Sequence, residues 1–405
     1  MKPSGIEWIG DIPDDWEVRR GKYTLDLLMR PIRDNDEIIT CFRDGQVTRR
    51  SNRREDGFTF ADKEIGYQGI LKGDLVIHGM DGFAGAIGIS DSDGKGSPVL
   101  NVCRPKNGSD TRYINYYLRT LALQNVFIAL STGIRERSCD LRWKKIAELL
   151  FTIPPLKTQQ KIADYLDEKC GEIDATISKQ KESIEKLKAY KQSLISETVT
   201  KGLDKSAPLK PSGIDYLGDI PSHWEIKKLK FLVSLIDNKT KDGHSISLEN
   251  IESGTGKLIE TENTYDGEGI SFKENDLLFG KLRPYLAKVY LSALKGRALG
   301  DFYVMRANKG TNPNFLKFVL LSDWFIKIVD SSTYGTKMPR ASWDFTGGMR
   351  IPLPPISEQD CISSYLEIKC SEVDTFIIEK QNIIQKLDAY KKSLIFECVT
   401  GKKRI

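Results

Sequence analysis

The chain has 405 residues, a formal net charge of +5, 40% hydrophobic and 29% charged residues, and seven cysteines. That balance suits a globular protein with room for two or three domains, and scattered cysteines without a C-x-x-C argue against a disulfide framework or a zinc site. No apolar run nears the roughly 18 residues of a membrane span and no signal-peptide core opens the chain, so a cytoplasmic protein is expected.

The chain begins with the box MKPSGIEWIGDIPDDWEVRR. A first insert follows, with strand-like runs DLVIHGM, GAIGIS and PVLNV between turns such as KGD and SDGKG. The stretch RYINYYLRTLALQNVFIALS then reads as helix. Basic stretches VTRRSNRRED and IRERSCDLRWKK lie within this insert.

Pro154-Pro155 punctuates the end of the insert, and a helix is expected just after it, with Thr158 as a plausible cap. Leu166, Cys170, Ile173, Ile177, Ile184, Leu187 and Leu194 fall at alternating steps of four and three, with Gln180 and Lys191 in the polar slots. That is a coiled-coil seam of about four heptads.

The whole pattern then repeats. LKPSGIDYLGDIPSHWEIKK restates the opening box at an offset of 208, from Pro3 to Pro211. A second insert carries DLLFGKL, AKVYLS and DFYVM, then PNFLKFVLLSDWFIKIVD, with basic stretches FGKLRPYLAK and YGTKMPRASW. Pro354-Pro355, the plausible cap Ser357, and the seam Leu366, Cys370, Val373, Ile377, Ile384, Leu387 and Leu394 close the chain. Lys380 and Lys391 fill the polar slots. From Pro154 to Thr200 this copy matches at an offset of 200 without a gap, and Trp143 and Trp343, the expected core anchors at the insert–helix junction, share the offset.

The order box, insert, helix, twice over, becomes circular if the ends are joined. The expected fold is α+β, with two similar mixed α/β domains separated by two long antiparallel coiled-coil helices in a pseudo-two-fold repeat. The expected division is 1–155, a first domain; 156–202, a helix; 203–354, a linker and second domain; and 355–405, a helix and tail. Each seam could instead pair with another subunit. The helices are near neutral or acidic, so positive charge gathers in the inserts and the tail, as a polyanion partner would require. Any single basic cluster is also compatible with a solvated surface.

Catalytic motifs are lacking. There is no N/D-P-P-Y methyltransferase loop, no Walker A spacing in GISDSDGKGS, and no G-x-S-x-G or H-E-x-x-H. No catalytic or metal-ligating residue is expected. The alternatives are a coiled-coil scaffold with protein-binding inserts, or a standalone nuclease whose carboxylates no motif marks.

The duplicated Pro-Pro starts with Gln159 and Gln359, the duplicated helices, LLFGKLRPYLAKV at 277–289 and GTKMPRASW at 335–343 resemble the specificity subunits of type I restriction–modification enzymes. The resemblance covers the chain. It implies two target-recognition domains, each reading half of a split double-stranded DNA site, and a helical spacer between them. It implies two methylation subunits that bring S-adenosylmethionine chemistry to adenine N6, and restriction subunits that use ATP and Mg. It implies no cofactor on this chain. The first insert departs from the pattern, with STGIRERSCDLRW where the second has GTKMPRASW. DNA-contact candidates are His78, Arg135, Arg137 and Arg142 in the first insert. In the second they are Lys281, Arg283, Tyr285, Thr336, Lys337 and Arg340.

Overall fold

The computed structural model describes residues 1–53, 65–129, 141–259, 267–335 and 337–405. The chain divides into two compact units, Met1–Gln180 with Asn382–Ile405, and Lys181–Gln381. Each unit therefore holds one box, one insert, the start of one long helix and the end of the other. The fold is α+β, with the same plan in each unit.

In the first unit an antiparallel sheet runs in the order Leu25–Leu27, Leu100–Pro105, Leu75–His78, Ile87–Ile89. In the second the order is Val233–Ile236, Phe302–Ala307, Asp276–Gly280, Val289–Leu291. The central strands read as unbroken apolar runs because both faces are covered. Leu75 and Ile77 join the core that contains helix Thr111–Leu123, while Val76 joins a second core with Ile39, Val47 and Ile70. Leu277 and Phe279 divide from Leu278 in the same way.

A buried aspartate begins each central strand. Asp276 accepts from Arg306 Nε and Nη2 at 2.8 and 2.7 Å and from the Lys273 amide at 2.7 Å. Asp74 accepts from Arg104 Nε and from the Leu71 amide, both at 2.8 Å, and pairs with Arg30. The charge is buried only because each carboxylate is paired and hydrogen-bonded.

The long helices span Leu156–Lys201 and Ile356–Val399. Thr158 and Ser357 lie inside the first turns and do not cap them. Pro155 and Pro355 take that position, their carbonyls accepting from the Gln159 and Gln359 amides at 3.0 Å. A proline fits there because its missing N–H and fixed φ cost nothing outside the first turn.

The recurring glutamine has a physical reason. Gln359 is fully buried; its Oε1 accepts from the Asn312 amide at 2.8 Å, and its Nε2 donates to Pro354 O at 2.8 Å and Gly310 O at 3.2 Å. Gln159 bonds the Asp110 amide and Pro154 O in the same manner. The residue thus ties the helix start to the turn before helix Pro313–Leu321. Gln359→Leu keeps the volume and strands those backbone groups, so it is expected to cost about 3 kcal/mol, read as a lower urea midpoint. A loss below about 0.5 kcal/mol, the range of neutral surface changes, would contradict this role.

Within the first unit the helices run antiparallel. Val399 O, at the end of one, accepts from Thr152 Oγ1 at 3.0 Å, just before the other begins, and Lys391 Nζ meets Asp174 at 2.7 Å further along. The second unit reverses the roles, with Lys191 Nζ on Asp374 at 2.7 Å. Lys191 and Lys391, in matching polar slots of the seam, are therefore cross-helix partners. Asp374 also accepts from Lys257 at 2.8 Å. Burial pushes its carboxyl up, but the bonds from Lys191 and Lys257 outweigh that and hold it below the usual aspartate range.

The seam follows the heptad through Leu166, Cys170, Ile173, Ile177 and Ile184. At its end it shifts from half-buried Leu194 to Ile195 and Val199, because the second unit's body covers the helix there on another face.

The repeated box receives a helix end. Gly401, at φ +74°, closes the second helix against Pro13 and Trp16, where a Cβ would stand 2.3 Å from Pro13 Cδ. Lys402 Nζ also donates to Asp11 O at 2.7 Å. Gly202, at φ +73°, closes the first helix against Trp224 and Glu358, where a Cβ would stand 3.0 Å from the indole. Only glycine suits both the left-handed turn and the close approach.

Candidate nucleic-acid interface

In the second unit three chain segments meet beyond strand Asp276–Gly280. Lys281 N donates to Asp301 O at 2.9 Å, Ala341 N to Lys281 O at 2.9 Å, and Arg283 N to Pro339 O at 2.8 Å. Arg283 and Ala287 adopt left-handed backbone, at φ 51° and 47°. Such residues are unfavourable unless the surroundings hold them, and they gather at functional sites. Tyr334 and Arg340 pair through mutual backbone bonds of 3.2 and 3.1 Å.

Onto this frame the side chains assemble. Arg340 donates from Nε to both Asp301 oxygens at 3.2 Å and from Nη2 to Oδ2 at 2.9 Å. Lys281 Nζ lies 3.9 Å from Asp301 and 5.4 Å from the Tyr303 ring centroid. Tyr303 donates its hydroxyl to Ala341 O at 2.7 Å, and burial pushes its pKa up to about 12, so it stays a donor. Tyr285, Tyr334, Lys337 and Met338 are exposed around the cluster. A basic, partly aromatic surface on a rigid base can meet both phosphates and base edges.

Lys281, Arg283, Tyr285 and Arg340 are thus brought together by the fold, and Lys337 lies in the segment between Tyr334 and Arg340. Thr336 lies outside the described residues. Asp301 and Tyr303 escaped sequence reasoning, because nothing local in LGDFYVM marks a partner roughly 40 residues away.

The first unit carries different chemistry on the same frame. Gly79 N donates to Val99 O and Leu141 N to Gly79 O, both at 2.8 Å, which is the bonding pattern of Lys281. Gly79 therefore stands at Lys281, Asp81 at Arg283 and Val99 at Asp301. The apolar runs GDLVIHGMDGFAGA and NDLLFGKLRPYLAK align in this same register, so His78 and Met80 each stand one residue before the counterparts of Lys281 and Arg283.

His78 Nδ1 accepts from the amides of Asp81 at 2.9 Å and Met80 at 3.2 Å. Burial holds its pKa below the usual histidine value, so the ring is a neutral brace for its own turn. Arg142 is exposed just before the short helix Trp143–Ile146. Arg135 and Arg137 lie outside the described residues. Within VTRRSNRRED, Arg49 pairs with Glu37 at 3.1 Å and Arg53 with Asp44 at 2.8 Å. Among the described residues no cluster of His, Cys, Asp and Glu is arranged to hold a metal, and no helix is long and apolar enough to cross a membrane.

Residues 51–188 match the family model for the type I restriction modification DNA specificity domain. A Methanocaldococcus jannaschii protein, provisionally named the type I restriction enzyme MjaX specificity subunit, is 24% identical over 98% of this chain and 96% of its own length. A solved chain from work on complex assembly and conformational transition of the type I R-M system superposes with a TM-score of 0.73 at 13% identity, covering 97% of this chain and all of that one. The HsdS subunit from Thermoanaerobacter tengcongensis gives 0.53 at 15% identity, covering 97% of this chain and 98% of its own. The structural likenesses bear on the fold alone.

Proposed function

We propose that this chain is a type I restriction–modification specificity subunit, the DNA-reading member of such a complex, and holds no catalytic centre of its own. One observation carries the reading. The same sheet, box and helix frame is built in both units, while the loop after the central strand exchanges Gly79, Asp81 and Val99 for Lys281, Arg283 and Asp301. A constant frame with exchanged loops is what two half-sites of different sequence call for.

In this reading 1–155 and 203–354 are the recognition domains, each meeting one half of a bipartite duplex site. The helices, 156–202 and 355–405, set the gap and dock two methylation subunits. Restriction subunits complete the assembly, and S-adenosylmethionine, ATP and Mg serve the partners' chemistry in the cytoplasm. Arg135, Arg137 and Arg142 of the first domain, with His78 bracing the loop, and Lys281, Arg283, Tyr285, Thr336, Lys337 and Arg340 of the second, form the DNA surface. Cationic side chains that neutralise phosphates release counterions.

The expected result is duplex binding by the chain, alone or with methylation subunits, that weakens steeply with salt. Six phosphate contacts lose about a thousandfold in affinity between 50 and 200 mM salt. Methyl transfer should require the partner. Binding indifferent to salt, as a protein-binding scaffold would give, or methylation or magnesium-dependent cleavage by the chain alone, would overturn the proposal.

A further inference from the structure

We infer that Arg340, held by Asp301, reads a guanine in the half-site that the second unit contacts; the inference rests on the function proposed above. A guanidinium has five N–H donors in a fixed plane. Asp301 takes the edge formed by Nε and Nη2. Among the described residues nothing bonds the outward end, which carries both hydrogens of Nη1 and one of Nη2. Two parallel donors at that end match the O6 and N7 acceptors that guanine presents in the major groove. Adenine offers N7 beside an amino donor, which faces the second N–H with the wrong polarity.

The same carboxylate argues against a phosphate as the target. Asp301 sits within bonding distance of the guanidinium and keeps about a quarter of its side chain exposed (23%). Lys281 also lies 3.9 Å from Asp301, so the cluster is net positive, but a phosphodiester brought to the free end of Arg340 would still meet the carboxylate beside it, whereas a guanine edge is neutral. An arginine that only clamps the backbone gains nothing from such a neighbour. The Arg340 side chain is 44% exposed, so it is accessible while oriented.

The base of the site is rigid, as discrimination requires. Ala341, next to Arg340, is bonded through its amide to Lys281 O and through its carbonyl to the Tyr303 hydroxyl. The Arg340 backbone is paired with Tyr334 on the other side. Val99 occupies the position of Asp301 in the first unit, so no carboxylate is present there to orient a reader. The two half-sites should differ in this respect.

The test uses the full chain with methylation subunits, selected on duplexes of random sequence and read by sequencing. The wild-type profile should contain a guanine in one half-site whose preference falls about tenfold or more in Arg340→Lys, which keeps the charge and loses the fork. Asp301→Asn should weaken the preference at that same base pair. The other half-site and the gap should be unchanged in both variants, which also shows that the chain remains folded and assembled. The inference alone is overturned if a bipartite site is selected and the guanine preference survives both substitutions. It is equally overturned if Arg340→Ala lowers binding to all sequences alike and reduces the salt slope by about one, the mark of a phosphate contact. Selection of no sequence at all by the wild-type assembly would overturn the proposed function, and this inference with it.

Discussion

Inserting one heptad into both long helices, after Gln180 and after Lys380, is expected to lengthen the preferred gap between half-sites by about three base pairs. Seven residues add about 10 Å of helix, and B-DNA rises roughly 3.4 Å per base pair. A heptad, not a shorter insertion, is the right unit because it returns each seam position to the same face. Ile177 and Ile184 are both buried one heptad apart, so the inserted repeat continues an existing pattern. Three base pairs also turn the second half-site by about 100° at roughly 10.5 pairs per turn. Affinity at the new optimum should therefore fall even where distance is matched. The measurement is methylation or binding on targets whose gap is varied one pair at a time. An assembled variant that keeps its original optimum would show that partner subunits or DNA bending set the gap.

Exchange of the first insert is expected to change one half-site completely and leave the other as it was. The graft would replace the chain between Trp16 and Trp143 with the corresponding segment of a type I restriction enzyme specificity subunit. Trp16 is buried in the box and packs edge-on to Tyr113, with ring centroids 6.4 Å apart, while Trp143 packs at the edge of the same core. Tyr113 lies inside the exchanged segment, so a donor with an aromatic residue there should seat best. Each mismatched base pair costs about 1–3 kcal/mol, roughly additively. A half-site of a few pairs should then switch preference by several orders of magnitude. A graft that assembles and alters both half-sites would refute independent reading.

Much of the frame was legible because it is written twice and in periodic form. The Pro-Pro starts, the seam from Leu166 to Ile184, and the apolar runs LVI and LLF each declare an element through local chemistry. The role of Gln159 and Gln359 was visible only as a recurrence, since its partners, Asp110 N and Asn312 N, lie nearly 50 residues away. Cap position was misread for a physical reason. Thr158 and Ser357 have the side chains of caps, yet prolines before them already stop the helix and supply the first carbonyl. At the candidate interface the basic residues were legible by type, but the carboxylate that orients Arg340 was not. Asp301 acquires its meaning from a contact made by tertiary structure, and its counterpart Val99 shows that the frame does not demand it.

In the proposed function one chain reads two separate sequences. The most direct measurement is selection of the wild-type chain, with methylation subunits, on random duplex DNA. The expected result is a bipartite motif, two short defined segments flanking an undefined gap of constant length. A single continuous motif, or enrichment of no sequence from an assembled complex, would contradict it.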